Sequence, residues 1–479
     1  VGGAGMGGGE LAEAPAPWEP LGRVGDVVRT VLREYTLDGL GLPASVVSKG
    51  EPLLASPLQL VAEGGDALTG EGRFAETDEL KTVYEGRAEH PAVTIETRTI
   101  TEYDGCMKVE LTLAPGTEPG RELQSLVLDI PMREDMAALW HATTSGLRSN
   151  PYGATPTGEG VVWTSRKMWS DQRPRRQGYL LTNFKPYIWL GNNERGLAWF
   201  ADSDKGWVLD LANKNGDLKR PHEQPPQQEL IRKDGQVVLR VHFVQRPIVI
   251  DQPRKITFGL MATPTKPMID DWRRWTTTIY MPEHDSRYIT WMMQYWGSDT
   301  NWANRYPRNR DLSVLDKMLA VRRGQDVDVE AYIKEFEARN YAEGMREGWK
   351  KKDQVIGLVR LMLGTGGWMK HPRFRDTDNI GFAYYEELIA CNPLHEEFQV
   401  YADEWTGSFG RRVAISALVD SYQDCGVFYS RAFIQRGFGL YFDNAFPERS
   451  HDPITTDAYE IRYADDRLGY DGVTIQPAV

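Results

Sequence analysis

Runs in which apolar and polar residues alternate dominate the chain from about residue 20 to residue 265. The clearest two are residues 91–102 and 107–113, with Tyr103, Asp104 and Gly105 between them. Alternation puts every second side chain on one face of a strand, and Asp-Gly favours a tight turn, so this segment predicts a β-hairpin. Similar runs lie at residues 125–130, 178–183, 197–201, 236–245 and 255–262. Many short strands separated by turn residues predict an antiparallel β-sandwich.

The pattern changes after Pro264 and Pro267. Residues 312–321, 328–350, 380–391 and 411–425 have helical periodicity, and short strand candidates lie at residues 288–294, 354–363, 398–402 and 438–442. Alternation of strands and helices predicts βαβ units and a parallel sheet, here a (β/α)8-type barrel. A complete barrel has eight strands, and only about four or five can be counted, so we expect an incomplete barrel.

These changes predict a multidomain β plus α/β protein with an N-terminal antiparallel β-sandwich. The four predicted segments are a flexible Gly-rich leader at residues 1–17, the β-sandwich region at 18–267, a linker at 268–284 and the truncated barrel at 285–479. The leader glycines do not follow a strand, so we interpret them as a tail and not as a phosphate-binding loop. No signal peptide is visible in the sequence.

Charge and composition exclude several classes of partner. The formal net charge of −12 argues against nucleic acid or an anionic membrane surface as the main partner. No segment has the run of 18 or more apolar residues that a membrane-spanning helix needs. The eight histidines show neither HxH nor HExxH spacing, and dinucleotide and P-loop motifs are absent, so we expect no metal and no cofactor. Asp202 and Asp204 have a DxD spacing that alone falls far short of a calcium loop, and a turn explains it better.

Acidic residues follow two of the predicted barrel strands. Asp443 and Asn444 come directly after the apolar run at residues 438–442, which contains Tyr441, and Asp403 with Glu404 follows the run at residues 398–402. In parallel barrels the chemistry lies at the carboxyl ends of strands, so these residues are candidate catalytic or substrate-holding groups. The alternative for each is a strand-ending turn or cap.

Aromatic residues accompany these acids. The chain contains 15 Trp and 21 Tyr, and several Trp lie in or after predicted strands or beside the acidic pair. Aromatic rings at strand ends suit stacking on the faces of sugars, although a single Trp is more often explained by packing at the barrel rim. The candidate sugar-stacking residues are Trp296, Trp302, Trp368 and Trp405.

Five segments together resemble a bacterial glycoside-hydrolase-like family whose members are largely uncharacterised. They are residues 18–21, residues 41–43 with 50–57, residues 196–207, residues 258–267 and residues 439–444. The resemblance implies a β-sandwich region followed by a (β/α) barrel, with carbohydrate as the partner and an extracellular or periplasmic location. Self-association stays open.

A more distant similarity, to bacterial β-N-acetylgalactosaminidases, implies a mechanism. Those enzymes use adjacent Asp and Glu residues in substrate-assisted hydrolysis of 2-acetamido sugars, and the adjacent pair here is Asp403 and Glu404. Asp403 would orient the acetamido group, Glu404 would protonate the leaving oxygen, and Asp443 with Asn444 would complete the site. The alternative is a carbohydrate-binding or surface-assembly protein that retains the fold without turnover.

Overall fold

The computed structural model describes most of the first 270 residues and separate stretches of the remainder. The described residues are 13–143, 150–166, 184–202, 204–211, 213, 219, 223–268, 270, 288–289, 313–322, 325–340, 356, 360, 380–385, 389–390, 413–414, 435, 439–442, 448–450 and 474–476. Two compact units divide the chain. One contains Val1–Pro267 with Phe446–Pro477, and the other contains Met268–Ala445 with Ala478–Val479.

The described part of the first unit is built almost entirely from β-strands. In chain order, up to Pro267, they are β1 (Gly22–Val24), β2 (Val27–Thr30), β3 (Arg33–Leu37), β4 (Pro43–Ser48), β5 (Glu51–Pro52), β6 (Gln59–Ala62), β7 (Glu71–Thr77), β8 (Lys81–His90), β9 (Val93–Glu102), β10 (Cys106–Pro115), β11 (Leu126–Arg133), β12 (Leu139–Thr143), β13 (Tyr152–Ala154), β14 (Gly160–Thr164), β15 (Tyr187–Gly191), β16 (Gly196–Phe200), β17 (Gln228–Lys233), β18 (Gln236–Val244) and β19 (Arg254–Thr263). A short 3-10 helix, Glu134–Met136, follows β11.

These strands form three antiparallel sheets. One contains β1 to β5 in sequence order, a second has nine strands in the order β13-β12-β15-β16-β19-β10-β9-β8-β7, and a third has the order β14-β17-β18-β11-β6. The predicted hairpin is confirmed, because β9 and β10 pair antiparallel with Thr99 opposite Val109. The predicted strand at residues 178–183 lies outside the described residues.

Alternation along the strands builds one apolar core. In β9 the side chains of Val93 and Ile95 are fully buried while Glu96 is exposed, and in β18 Val241 is buried between the less buried Arg240 and His242. Buried residues from all three sheets belong to the same hydrophobic cluster. The predicted antiparallel β-sandwich therefore agrees with the structure.

Arg33 and Tyr35 connect the first sheet to the end of β19. The Arg33 guanidinium donates hydrogen bonds to the carbonyl oxygens of Ala262 at 3.2 Å and Thr265 at 2.7 Å. The Tyr35 hydroxyl donates to the Gly105 carbonyl at 3.0 Å and accepts from the Ala262 N–H at 3.2 Å. Burial raises the pKa of Tyr35 to about 12, so the phenol stays neutral and keeps its donor.

The second unit has parallel strands and helices. Its described elements are β20 (Tyr288–Ile289), α1 (Ser313–Arg322), α2 (Val329–Asn340), β21 (Ile380–Tyr385), β22 (Ile389–Ala390), β23 (Val413–Ala414) and β24 (Gly439–Phe442). Strands β20, β21 and β24 lie side by side in that order and are parallel, whereas β22 and β23 pair antiparallel. The first unit also contains the antiparallel pair β25 (Glu448–Ser450) and β26 (Thr474–Gln476).

Helices α1 and α2 and strand β24 agree with the sequence predictions, but three other predictions were wrong where the structure describes them. The predicted helix at residues 380–391 contains strands β21 and β22, because periodicity does not separate a short, largely apolar strand from a helical segment. The predicted strand at residues 354–363 is helical at Ile356 and Arg360, one turn apart. The predicted helix at residues 411–425 contains β23, whose pairing with β22 is non-local.

Within the described residues, no helix combines the length and the apolar composition needed to cross a bilayer.

Candidate functional site

The predicted catalytic residues fall in the part of the chain that the structure leaves undescribed. This applies to Asp403, Glu404 and Asp443, and equally to the predicted substrate-binding residues Asn444, Trp405, Trp296, Trp302 and Trp368. For Tyr441 the structure describes the backbone, in β24.

Strand β24 nevertheless places the end of the predicted apolar run in a parallel sheet. Tyr441 is the register partner of Tyr384, and Phe442 is the partner of Tyr385 at the carboxyl end of β21. In sequence, Asp443 directly follows Phe442. Functional groups gather at this edge in parallel α/β folds, and the assignment of Asp443 to a site stays a prediction.

One surface of the sandwich is described in full, and we call it the outer face. It consists of the side chains of the nine-stranded sheet that point away from the core. Strand register divides it into two halves of different chemistry. The aromatic half lies on β13, β12, β15, β16 and the adjoining part of β19, and its rings belong to Tyr152, His141, Tyr187, Trp189 and Phe200.

Two glycines leave the space in which the Trp189 ring packs against the sheet. A Cβ atom built on Gly191 would lie 2.2 Å from the ring, and one on Gly196 would lie 2.6 Å from it, so both positions need glycine for the ring to occupy this place. The indole N–H donates to the Thr263 Oγ1 at 3.0 Å, and that hydroxyl donates to the Gly196 carbonyl at 3.3 Å. The ring is therefore fixed by packing and by a hydrogen bond.

Phe200 repeats this arrangement one strand away. A Cβ atom on Gly259, its register partner in β19, would lie 2.2 Å from the Phe200 ring. The side chain next to both rings on β16 is the small Ala198. Large rings over small residues give a shallow apolar surface.

Polar atoms lie among these rings and are uncharged at neutral pH. The His141 and Tyr187 rings have centroids 5.9 Å apart. Burial lowers the pKa of His141, which favours neutral imidazole, and burial raises the pKa of Tyr187, which keeps its hydroxyl protonated. Both groups can therefore exchange hydrogen bonds with a neutral ligand.

The charged half of the outer face covers β7 to β10 and the start of β19. Cross-strand neighbours alternate in sign, as in the row of Glu71, Arg87 and Glu96. Arg87 and Glu96 are 2.5 Å apart, and Lys255 and Glu110 are 3.1 Å apart. A groove of about 610 Å³ runs across this half. Because both signs are balanced, the groove has no preference for one sign of ligand charge.

Asp204 is buried in the first unit with an unusual carboxyl group. Desolvation raises its pKa to about 6, against the opposing effect of hydrogen bonds from backbone and from Gln227. Its Oδ1 has no hydrogen-bond partner, and its carbonyl accepts from the Trp207 N–H at 3.1 Å, closing a turn in which Gly206 has φ +83°. Among the described residues no group of three or more His, Cys, Asp or Glu side chains could hold a metal ion. The turn thus accounts for the DxD spacing.

Sequence reasoning missed the aromatic half. The signal was available in the alternation of rings with core residues at 187–191 and of small residues with core residues at 196–200. Only the register that brings β12, β15, β16 and β19 together places those rings on one face. Non-local pairing of this kind cannot be read from one strand.

Comparison with known proteins adds a family likeness. The family model described as "Glycoside hydrolase 123, third domain" matches residues 21–205, which is less than half of the chain. This match supports a glycoside-hydrolase-like family for the chain. No curated protein matches the chain in sequence.

Solved structures with partial likeness include several glycosidases. An alpha-N-acetylgalactosaminidase from Bifidobacterium bifidum, a quadruple mutant, has a TM-score of 0.29 and 10% identity, with 88% of this chain and 58% of that chain covered. A beta-arabinopyranosidase has a TM-score of 0.29 and 10% identity, with 86% and 65% covered. An alpha-mannosidase from Enterococcus faecalis V583 has a TM-score of 0.29 and 9% identity, with 50% and 29% covered. The chain spans less than two thirds of each of these proteins.

Proposed function

We propose that this chain is a glycoside-hydrolase-like protein that acts on glycosidic bonds through a (β/α)8-type barrel following the β-sandwich. The observation that carries the proposal is the match of residues 21–205 to a glycoside hydrolase domain. The parallel order of β20, β21 and β24, with helices α1 and α2 between β20 and β21, supports the barrel. Carbohydrate-active function also favours an extracellular or periplasmic location.

The proposed chemistry uses the acidic pair after residues 398–402. In substrate-assisted hydrolysis of a 2-acetamido sugar, the acetamido oxygen of the substrate attacks the anomeric carbon and the glycosidic oxygen leaves. Asp403 orients the acetamido group and stabilises the positive charge that develops on it. Glu404 donates a proton to the leaving oxygen, and two acids so close together can hold different pKa values.

The remaining predicted residues bind the sugar in this proposal. Asp443 is the second carboxylate of the site, and Asn444 hydrogen-bonds a sugar hydroxyl or acetamido group. Asp443 follows β24, whose carboxyl end is in register with that of β21. The aromatic side chains proposed to pack against the sugar are Tyr441, Trp405, Trp296, Trp302 and Trp368.

Glu404→Gln tests the catalytic part of the proposal. The substitution removes the transferable proton and nearly preserves shape, so turnover of aryl 2-acetamido glycosides with poor leaving groups should fall roughly a hundredfold or more. Very good leaving groups depart without protonation, so turnover of glycosides that carry them should be reduced less. Initial rates across a series of leaving-group pKa values measure the contrast. Glu159→Gln, at an exposed glutamate, is the matched control and should leave both classes of substrate unchanged. Equal rates for wild type and Glu404→Gln throughout the series would reject the assignment.

A second candidate function is carbohydrate binding without turnover. The aromatic half of the outer face favours it, because its rings are positioned by the sandwich alone. Wild-type protein that binds glycans and hydrolyses none of the aryl glycosides would support this candidate over the hydrolase.

A further inference from the structure

We infer that the aromatic half of the outer face is a binding platform for a neutral pyranose ring of a glycan. The inference goes beyond the proposed hydrolytic site, because it concerns the sandwich and requires no turnover. Its residues lie on β12, β13, β15 and β16, with Gly259 and Thr263 of β19 supporting the rings.

The rings of Trp189 and Phe200 are held in fixed positions. Trp189 lies over Gly191 and Gly196 with its indole N–H bonded to Thr263, and Phe200 lies over Gly259. Ordering a mobile aromatic side chain on binding costs free energy. These two rings are already held in place before a ligand binds, so that cost is small. Gly191, Gly196 and Gly259 leave the room that the two rings occupy.

The shape and polarity of the platform suit a sugar ring. A pyranose ring has C–H groups on its faces and hydroxyl groups around its edge, so it fits an apolar plane bordered by hydrogen-bonding groups. Trp189 and Phe200 supply the planes, and His141 with the hydroxyls of Tyr187 and Tyr152 supplies the border. His141 and Tyr152 are register partners on neighbouring strands, which places both on the face that carries Trp189.

The platform lacks formally charged side chains. Within the strand residues that form this half, the outward positions carry no Asp, Glu, Lys or Arg. The charged half of the same face begins only at Lys108, Thr257 and Lys255. Burial also disfavours the charged forms of His141 and Tyr187. The outward positions therefore match a neutral glycan, and the first cation beside them is Lys108, opposite Gly259.

Tyr152 provides a test that does not depend on stability. Its side chain is 77% exposed at the edge of the sheet, so its removal does not open the core. Val161 is its matched control, since it is an apolar residue, 53% exposed, on β14 in the sheet that also contains β17, β18, β11 and β6. Trp189→Ala removes the main stacking surface.

The experiment measures glycan binding to the full chain carrying Glu404→Gln, so that hydrolysis does not deplete the ligand. The probes are methyl β-galactopyranoside, methyl β-glucopyranoside and the β-linked trisaccharide of each, with a trigalacturonate as the anionic comparison. Saturation-transfer difference NMR identifies the contacting C–H groups, and calorimetric titration gives Kd. We expect transfer to one face of a neutral pyranose, and a rise in Kd of about tenfold for Tyr152→Ala and for Trp189→Ala, with less than twofold for Val161→Ala.

The outcomes separate this inference from the proposed hydrolase. Unchanged Kd values in both Tyr152→Ala and Trp189→Ala overturn the platform, even where the chain is an active hydrolase. An absence of binding by any neutral probe, or a preference for trigalacturonate, overturns it as well. A tenfold loss in Tyr152→Ala, together with a wild-type chain that hydrolyses none of the aryl glycosides, supports the platform and rejects the hydrolase. If Trp189→Ala lowers the Tm, Tyr152→Ala decides the question alone.

Discussion

Asp204 carries a carboxyl group in surroundings that disfavour its charge. Desolvation raises its pKa from 3.8 to about 6, and Oδ1 has no hydrogen-bond partner. The folded protein therefore binds this proton more tightly than the unfolded chain does. Because the folded-state pKa is the higher one, the charged carboxylate lowers the free energy of unfolding above about pH 6. This destabilisation disappears as the pH falls toward 3.8.

Asp204→Asn should stabilise the protein above pH 6. The amide cannot ionise, so the cost of a buried charge, roughly 3 kcal/mol at most for a shift of this size, is removed at pH 7.5 and makes no difference near pH 4. Urea unfolding at both pH values measures the change. Asp66→Asn, at an exposed aspartate, is the control and should move neither midpoint. Destabilisation by Asp204→Asn at pH 7.5 would show that the carboxylate is stabilised by an interaction beyond those that set its pKa.

Glycine placement acts at the scale of the strand. The β15–β16 hairpin has Gly191 opposite Gly196, and Trp189 covers both. A large ring over paired glycines replaces the missing cross-strand side-chain contact. The hairpin thus depends on one ring for packing that is usually spread over several side chains.

Gly191→Ala should displace that ring. Its Cβ would meet the Trp189 ring at 2.2 Å, so we expect destabilisation of about 1–3 kcal/mol and a shift in indole emission as the bond to Thr263 is lost. Gly22→Ala in β1 is the matched control, because its Cβ would meet the nearest atom, on Arg29, at 3.8 Å. Chemical unfolding followed by Trp fluorescence checks both variants.

The pair Gly191→Ala with Trp189→Ala completes this test. If the ring is the source of strain, the double variant should be more stable than the sum of the single effects predicts. Strict additivity would place the strain elsewhere, in the backbone of the turn.

The elements also show which parts of the fold could be predicted from sequence. The hairpin of β9 and β10 was predictable because its alternation is local and the Asp104-Gly105 turn joins adjacent strands. The aromatic half was not, because Trp189 and Thr263 meet only through the pairing of β15, β16 and β19. Strand β21 was mistaken for a helix for the same reason, since its neighbours β20 and β24 are distant in sequence.

At the scale of the whole molecule, the two units show opposite strand arrangements. The strands up to Pro267 pair antiparallel within three sheets, whereas β20, β21 and β24 are parallel. Antiparallel sheets can leave one face to solvent or ligand, and parallel strands gather functional groups at their carboxyl ends. The proposed platform and the proposed hydrolytic site follow from these two arrangements separately.

The hydrolytic proposal assigns Asp403 and Asp443 to one site. Each follows an apolar run, and β24 ends at Phe442 in register with the end of β21. We expect both residues at the same end of one parallel sheet, with carboxyl groups within about 10 Å, the upper span of paired glycosidase carboxylates. A crystal structure of the chain with a bound sugar measures the separation.

The separation between the carboxyl groups of Glu404 and Asp443 discriminates between mechanisms. Carboxyl groups about 5 Å apart fit a retaining reaction with a carboxylate nucleophile, and a separation of about 6.5–9.5 Å leaves room for the water of an inverting one. Substrate-assisted hydrolysis instead requires the adjacent Asp403 and Glu404 to face the acetamido group, whatever the distance to Asp443. Asp443→Asn should then reduce turnover less than Glu404→Gln does, because Asp443 positions the sugar while Glu404 supplies the proton. Carboxyl groups at opposite ends of the sheet would rule out any shared role for Asp403 and Asp443.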